Sequence, residues 1–513
     1  MPRTTGYVGS IDQGTTGTRF ALYDHAGNLA AYGYEEHHQI YPKPGWVEHD
    51  PIEIWQRTYK VIRDTLARRK ISPKQVKAIG VANQRETAVM WKRKTGQPIC
   101  NAIVWQCRRT APLVDDLKAR GLSKVIKEKT GLVPDAYFSG TKIQWMLDNV
   151  PGARELAQRG ELLFGNIDTW IIWNLTGSHV TDYGNASRTM LFNINELRWD
   201  DELLEMIGSI PEAVLPEVRP SSDRDFYGHV DREILGSQIP VCGDLGDQQA
   251  ALFGQAGFQP GEVKNTYGTG NFILMNTGNR VQVSRHGLLS TIAYRINNQP
   301  VAYALEGSIF ITGAAVQWLR DRLKIIRSAD ETEKMALSVE DTGGVYFVPS
   351  FVGLGAPHWN MYARGMIVGL TMGTTTAHLA RATLETECYQ TRDVIDAMRA
   401  DSGLGIERIK VDGGGSRNDF MMQFQADVLG IPVIRPRITE TTSLGAAYAA
   451  GLATGFWEDQ RELERKHRVE RVFEPKISPR RREALYGGWR TAVECALMWG
   501  NRSLDRSDTT VVG

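Results

Sequence analysis

Asp12, Thr15, Thr16, Gly17 and Arg19 share one short polar turn, Asp12-Gln13-Gly14-Thr15-Thr16-Gly17-Thr18-Arg19, flanked by apolar runs from Tyr7 to Ile11 and from Phe20 to Tyr23. A second turn of like composition, Thr266-Tyr267-Gly268-Thr269-Gly270, lies between Val263 and Met275. Glycines let successive N–H groups converge on an anion, and threonine hydroxyls add neutral donors, so each turn suits a phosphate. Asp12 would repel bare phosphate. It fits if a hard cation lies between them, because Mg²⁺ takes oxygen ligands and keeps several waters. An ordinary type I′ hairpin would use the same residues for their backbone preferences. The second copy, about half a chain away, points instead to two phosphate-facing jaws.

The elements that must hold these turns read as α/β. Asp50-Pro51-Ile52-Glu53 predicts a helix with an N-cap, a proline at the first helical position and Glu53 at the capping-box position. Ile52, Trp55, Tyr59, Ile62 and Leu66 recur at helical spacing and predict its buried face. Val76 to Ala82 predicts a strand whose end, Asn83-Gln84-Arg85-Glu86-Thr87, lies at the sheet edge where open α/β folds bind ligands. Ile239 to Asp244 reads as a strand, Leu245-Gly246 as a turn, and Asp247 to Phe253 as a helix opened by Asp247. Tyr303 to Glu306 leads to a glycine-rich helix start at Gly307, with the helix running past Gln317 to Leu323. Ile409 to Val411 precedes Asp412-Gly413-Gly414-Gly415 and a helix from Phe420 to Leu429, a geometry suited to nucleotides. The glycine-rich stretch Gly254 to Gly261 places a domain boundary between 1–253 and 254–513, and the halves read as divergent repeats. Ser503 to Gly513 is polar and expected to fray.

The chain has 513 residues, more than one core usually supports. Lys plus Arg number 60 against 59 Asp plus Glu, so charge calls for neither nucleic acid nor an anionic membrane. Small molecules and further subunits remain as partners. Cys100, Cys107, Cys242, Cys388 and Cys495 form no CxxC pair and read as reduced, mostly core thiols. No secretory h-region, membrane-length apolar run or lipidation signal stands out, so a cytoplasmic enzyme is expected.

The run Tyr137-Phe138-Ser139-Gly140-Thr141-Lys142-Ile143-Gln144-Trp145-Met146 resembles the first signature of the FGGY carbohydrate kinases, of the actin and Hsp70 ATPase superfamily. Gly365 to Leu370, continuing through His378-Leu379 to Glu385, resembles the second. The likeness spans nearly the whole chain, through Ser443-Leu444-Gly445-Ala446-Ala447. It implies two actin-like (RNase H-like) α/β domains with an active-site cleft between them.

Within that family the chain resembles the members that phosphorylate glycerol with ATP, a product that serves glycerol breakdown and glycerolipid synthesis. The matched residues are Arg85, Glu86, Trp105, Tyr137, Asp247, Gln248 and Phe272. Their chemistry agrees: Arg85 can donate to hydroxyl oxygens, Glu86 and Asp247 can accept hydroxyl protons, and Trp105 and Phe272 can clasp a three-carbon skeleton. Taken singly, each also has a structural reading. Arg85 and Glu86 would make a charge pair, the aromatic residues would fill a core, and Asp247 would cap a helix.

The resemblance assigns Asp247 as the catalytic base, and Asp12 with Asp247 as holders of Mg²⁺. Thr15, Thr16, Gly17, Arg19 and Thr269 would face the ATP phosphates. Gly313, Gln317, Gly415, Asn418 and Asp419 would line the nucleoside. It also implies a homodimer or homotetramer. Gly17 and Thr18 stand where many relatives have serines, so a backbone N–H would replace one hydroxyl contact. Gly228 to Gly236 lacks the pattern of a fructose 1,6-bisphosphate loop, and Asp225-Phe226-Tyr227-Gly228 lacks a phosphorylatable histidine, so neither control is expected. A pentulose or gluconate kinase and a non-catalytic ATP-binding module are the competing readings.

Overall fold

The computed structural model describes residues 6–225 and 227–504. Two mixed sheets carry the molecule, and they repeat one pattern. The five-stranded sheet runs in the order Val241–Gly246, Val76–Asn83, Tyr7–Gln13, Gly17–Tyr23, Leu29–Glu36. Its first three strands are parallel and its last three antiparallel. In the seven-stranded sheet the same sequence of neighbours and directions recurs as Val433–Pro436, Ile409–Asp412, Val263–Tyr267, Asn271–Gly278 and Ala302–Ile309. Leu289–Tyr294 and Val469–Phe473 extend it at its two edges. Both polar turns therefore close equivalent hairpins, and the divergent repeat read from sequence is visible in the topology.

Two helices join the halves. Asp247–Gly254 packs along Thr441–Ala453, which crosses back from the second half to lie on the strands of the first sheet. Their approach depends on absent side chains: a Cβ on Gly445 would stand 1.8 Å from the Ala250 carbonyl oxygen, and one on Gly254 would stand 2.0 Å from that of Thr441. Val8, Ala82, Phe253, Leu274 and Tyr448 accordingly belong to one buried cluster that draws on both halves.

Local expectations meet mixed outcomes. The helix Pro51–Arg69 starts where its N-terminal signals place it, with Asp50 accepting from the Ile52 N–H. Glu53 does not complete a capping box. Its carboxylate takes His38 and Arg57 instead. The buried face is Ile54, Thr58, Val61, Ile62, Thr65 and Leu66, while Ile52 is exposed. Thr58 can be buried because its hydroxyl donates to the Ile54 carbonyl, 2.8 Å away.

The strand that begins at Val241 continues through Leu245 and Gly246, and Gly246, not Asp247, is the N-cap of the next helix. The strand from Ala302 runs to Ile309, so the following helix spans only Gly313–Asp321 and leaves Leu323 outside it. Cys107, Cys242 and Cys388 are buried free thiols. No helix among the described residues is long and apolar enough to cross a membrane. The fraying expected for Ser503 to Gly513 falls largely on residues outside those described.

Candidate active site

The site begins at the end of strand Val76–Asn83, where Arg85 adopts a left-handed backbone with φ of 57°. Such a conformation is costly for a non-glycine residue and persists only when its surroundings fix it. Here they do. The buried guanidinium donates to Glu306 at 2.6 and 3.1 Å, to the Tyr137 hydroxyl at 2.9 Å, and meets Asp247 at 3.1 Å. Gly246 clears its path, since a Cβ there would lie 2.8 Å from the Arg85 stem.

Arg85 is thus mainly a hub for protein acceptors. Its neighbour Glu86 accepts from Arg188 at 2.7 Å, and Arg188 also reaches Glu306 at 3.1 Å. Burial alone would raise the Glu306 pKa, but Arg188 and Arg85 pull it down to about 2. The centre of the site is a four-residue ionic network, Arg85, Glu86, Arg188 and Glu306, drawn from both halves of the chain. Breaking such a buried pair by removing one partner costs about 3–5 kcal/mol.

Asp247 stands at the edge of this network, its side chain 29 % exposed. It opens the helix Asp247–Gly254, where the helix dipole favours a negative charge. One carboxylate oxygen accepts from the Gln248 N–H at 2.7 Å and the other from the Gln248 amide at 3.2 Å. Lys264 donates to the Gln248 amide oxygen and so fixes which end of that amide faces Asp247. Lys264 is itself buried, which lowers its pKa to about 8. Burial raises the Asp247 pKa, with Arg85 opposing.

Aromatic rings form the walls. Trp105 stands edge-on to Tyr137 and to Phe272, with centroids 5.7 and 6.3 Å apart, and the Arg85 guanidinium lies 5.6 Å from the Phe272 centroid. Lys142, from the first signature run, holds this wall in place. Its buried ammonium group donates to the Tyr137 carbonyl and, at 3.2 Å, to that of Glu86. Burial lowers its pKa to about 7.

The first turn is tied to the wall by a closed ring of hydrogen bonds. Trp105 Nε1 donates to the Thr15 hydroxyl at 2.9 Å, and the Gln39 amide donates to the Thr15 carbonyl at 2.9 Å. His49 Nε2 meets the Gln39 oxygen at 2.8 Å, so it must carry the proton there and leave Nδ1 to accept from Gln84 at 3.4 Å. Thr87 then donates to Gln84 at 3.0 Å and accepts from the Trp105 N–H at 3.2 Å. Burial, with His37 beside it, lowers the His49 pKa to about 3 and keeps the imidazole neutral.

Asp12 and Arg19 face each other across the first hairpin, 3.1 Å apart. Thr16 is exposed, and a Cβ on Gly17 would strike the Glu35 carbonyl oxygen at 2.5 Å. At the second turn, the Thr269 carbonyl accepts from the N–H groups of Thr312 and Ala314 at 3.1 and 3.0 Å, which seats the helix carrying Gly313 and exposed Gln317. Gly313 and Gly415 both lie against this hairpin: added Cβ atoms would sit 2.4 Å from the Gly268 oxygen and 2.9 Å from the Tyr267 Cβ. Asn418 caps the helix Asp419–Leu429 through the Met421 N–H at 2.9 Å. Asp419 pairs with Arg435 at 2.8 Å and with Arg471. Both therefore have protein partners of their own.

Glu306, Arg188, Lys264 and Lys142 were not singled out from the sequence. Glu306 carried a signal, a charge inside an otherwise apolar strand, and Lys142 lay within a signature run. Arg188 and Lys264 carried none.

The pattern of the FGGY family of carbohydrate kinases, N-terminal domain, matches residues 7–254, and that of its C-terminal domain matches residues 263–454. A protein named glycerol kinase from Caldanaerobacter subterraneus subsp. tengcongensis is 61% identical over 495 residues, covering 96% of this chain and 99% of that one. The crystal structure of Plasmodium falciparum glycerol kinase with ADP superposes with a TM-score of 0.90 at 38% identity, over 96% of this chain and 98% of that one. Gluconate kinase from Lactobacillus acidophilus has a TM-score of 0.86 at 23% identity, over 96% and 98% of the two chains, a likeness of fold alone.

Proposed function

We propose that this chain, which belongs to the FGGY family of carbohydrate kinases, transfers the γ-phosphoryl group of ATP to a terminal hydroxyl of glycerol, giving sn-glycerol 3-phosphate. The observation that carries this reading is the cluster in which Asp247 and Arg85, 3.1 Å apart, lie beside the Trp105, Tyr137 and Phe272 rings, with Thr15 of the first turn bonded to Trp105 at 2.9 Å. A three-carbon polyol suits this mixture of charged groups and aromatic rings. The 61% identical relative is named for the same substrate.

Asp247 accepts the proton of the attacking hydroxyl. Its raised pKa strengthens it as a base, and the donors Arg85 and Gln248 fix its orientation. Phosphoryl transfer passes through a loose transition state, so alignment and charge neutralisation contribute more than basicity. Arg19 and the turn N–H groups neutralise charge from one jaw, and the Thr269 hydroxyl donates from the other. Gly313, Gln317, Gly415, Asn418 and Asp419 border the nucleoside.

Asp12 suits Mg²⁺. It is 3% exposed, gives one carboxylate oxygen to Arg19 and has no protein donor on the other among the described residues. No cluster of three or more ligating side chains occurs among those residues. This accords with an ion held by one or two carboxylates, phosphate oxygens and water. Asp12 and Asp247 would hold the ion, which would supply charge neutralisation at the phosphates. Replacing Asp247 by Asn tests the assignment: kcat should fall by about 10²–10⁴-fold while ATP affinity is nearly kept. Normal turnover would remove Asp247 from the role of base.

A further inference from the structure

A cavity of about 210 Å³ lies between the turn at Ala26–Leu29, the strand end Pro436–Ile438 and Lys466–Arg468. It lies at the far end of strand Gly17–Tyr23 from the first polar turn, about 20 Å away at 3.3 Å per residue, and at the opposite end of the helix Asp247–Gly254 from Asp247. Tyr448 lines it. This residue is 2% exposed, and its hydroxyl has no hydrogen-bond partner among the described residues. The ring is buried while the hydroxyl is open to the cavity. The hydroxyl points towards Gly27, where an added Cβ would lie 3.2 Å from it.

The charges at the mouth are unbalanced. Arg437 and Arg468 are joined through their backbones at 2.8 Å, and neither side chain has a carboxylate in ion-pair range among the described residues. Lys466 is paired with Glu462 at 3.1 Å, and Glu462 also faces His25 at 3.7 Å. His467 is bonded to Gln255 at 3.0 Å, and burial keeps it neutral. Leu444 and Ile438 add an apolar wall.

We propose that this cavity binds a small organic phosphate, with Arg437 and Arg468 on the phosphate oxygens and the Tyr448 hydroxyl as a third donor. Two guanidinium forks suit an oxyanion, and donors on three separate side chains match the three terminal oxygens of a phosphate ester better than the two of a carboxylate. The apolar wall takes the body of the ester. The site shares no residue with the catalytic pocket and does not depend on the reaction assigned there.

Calorimetric titration of the full chain tests it, with glucose 6-phosphate and inorganic phosphate as probes. Saturable binding of glucose 6-phosphate is expected, tighter than that of inorganic phosphate. The Arg437→Ala/Arg468→Ala double variant should weaken it at least about tenfold, as befits two lost charge-assisted contacts. Tyr448→Phe, which keeps the ring and its packing, should weaken it about threefold or more. Absence of saturable binding, or equal affinity in wild type and double variant, would overturn the site. Equal affinity for the two probes would overturn the assignment to an ester.

Discussion

In the proposed reaction Asp247 is the base, and its surroundings make a pH prediction. A base must be ionised to act, so kcat/KM should fall with acid as Asp247 takes up a proton. Because burial raises its pKa, that limb should lie above the ordinary aspartate value of about 3.9. An acid limb at or below that value would contradict the account, as read from a pH–rate profile with glycerol subsaturating. Trp105 offers a second test, because it touches both Phe272 and Thr15, proposed to face glycerol and ATP respectively. Trp105→Phe keeps an aromatic ring at the wall but loses the indole N–H that donates to Thr15, so KM for ATP should rise about fivefold, the worth of one hydrogen bond, and by more than any rise in glycerol KM. Trp105→Ala should raise both. Arg85, Trp105 and Phe272 could be found because a motif resemblance fixed their register. Arg188 and Lys264 could not, since a buried ion pair between Arg188 and Glu306 has no trace in local sequence.

Helix Thr441–Ala453 shows what an element contributes here. Gly445 permits backbone contact with Asp247–Gly254, the helix that presents Asp247, so Gly445→Ala should lower Tm and activity together. Overpacking of this kind costs about 1–3 kcal/mol or more. A variant with wild-type Tm would mean the helices can slide apart freely. The long helix Thr376–Ser402 makes a prediction of the opposite sign. Burial raises the Glu387 pKa to about 8, so the folded chain holds a proton there that the unfolded chain releases near pH 4.5. Ionising it opposes folding, and Glu387→Gln should therefore stabilise the protein increasingly from about pH 5 to pH 8. Thermal melts across that range check it, and a constant difference would refute it. Helix starts such as Asp50-Pro51 were legible because capping is local. The buried face of that helix was not, because Thr58 and Thr65 go inside while Ile52 stays in water.

For the whole molecule, the paired polar turns were the most telling feature of the chain, and the matching strand order of the two sheets explains them as equivalent hairpins of a duplicated unit. What the linear chain did not display is the return of residues 441–453 to the first sheet, where they pack against the helix Asp247–Gly254 and join the two halves. The same fold serves a gluconate kinase, so architecture alone leaves the substrate open and the pocket must decide it. The most direct measurement is a steady-state assay of ADP release with Mg-ATP, comparing glycerol, dihydroxyacetone, xylulose, ribulose and gluconate. A site built to hydrogen-bond its substrate's hydroxyls can reject a poorly matched substrate by up to about 10⁴-fold, so under the proposed function kcat/KM should be highest for glycerol and at least about a hundredfold lower for the pentuloses and gluconate. A preference for a pentulose or gluconate, or ATP binding without glycerol-dependent ADP release, would contradict the account.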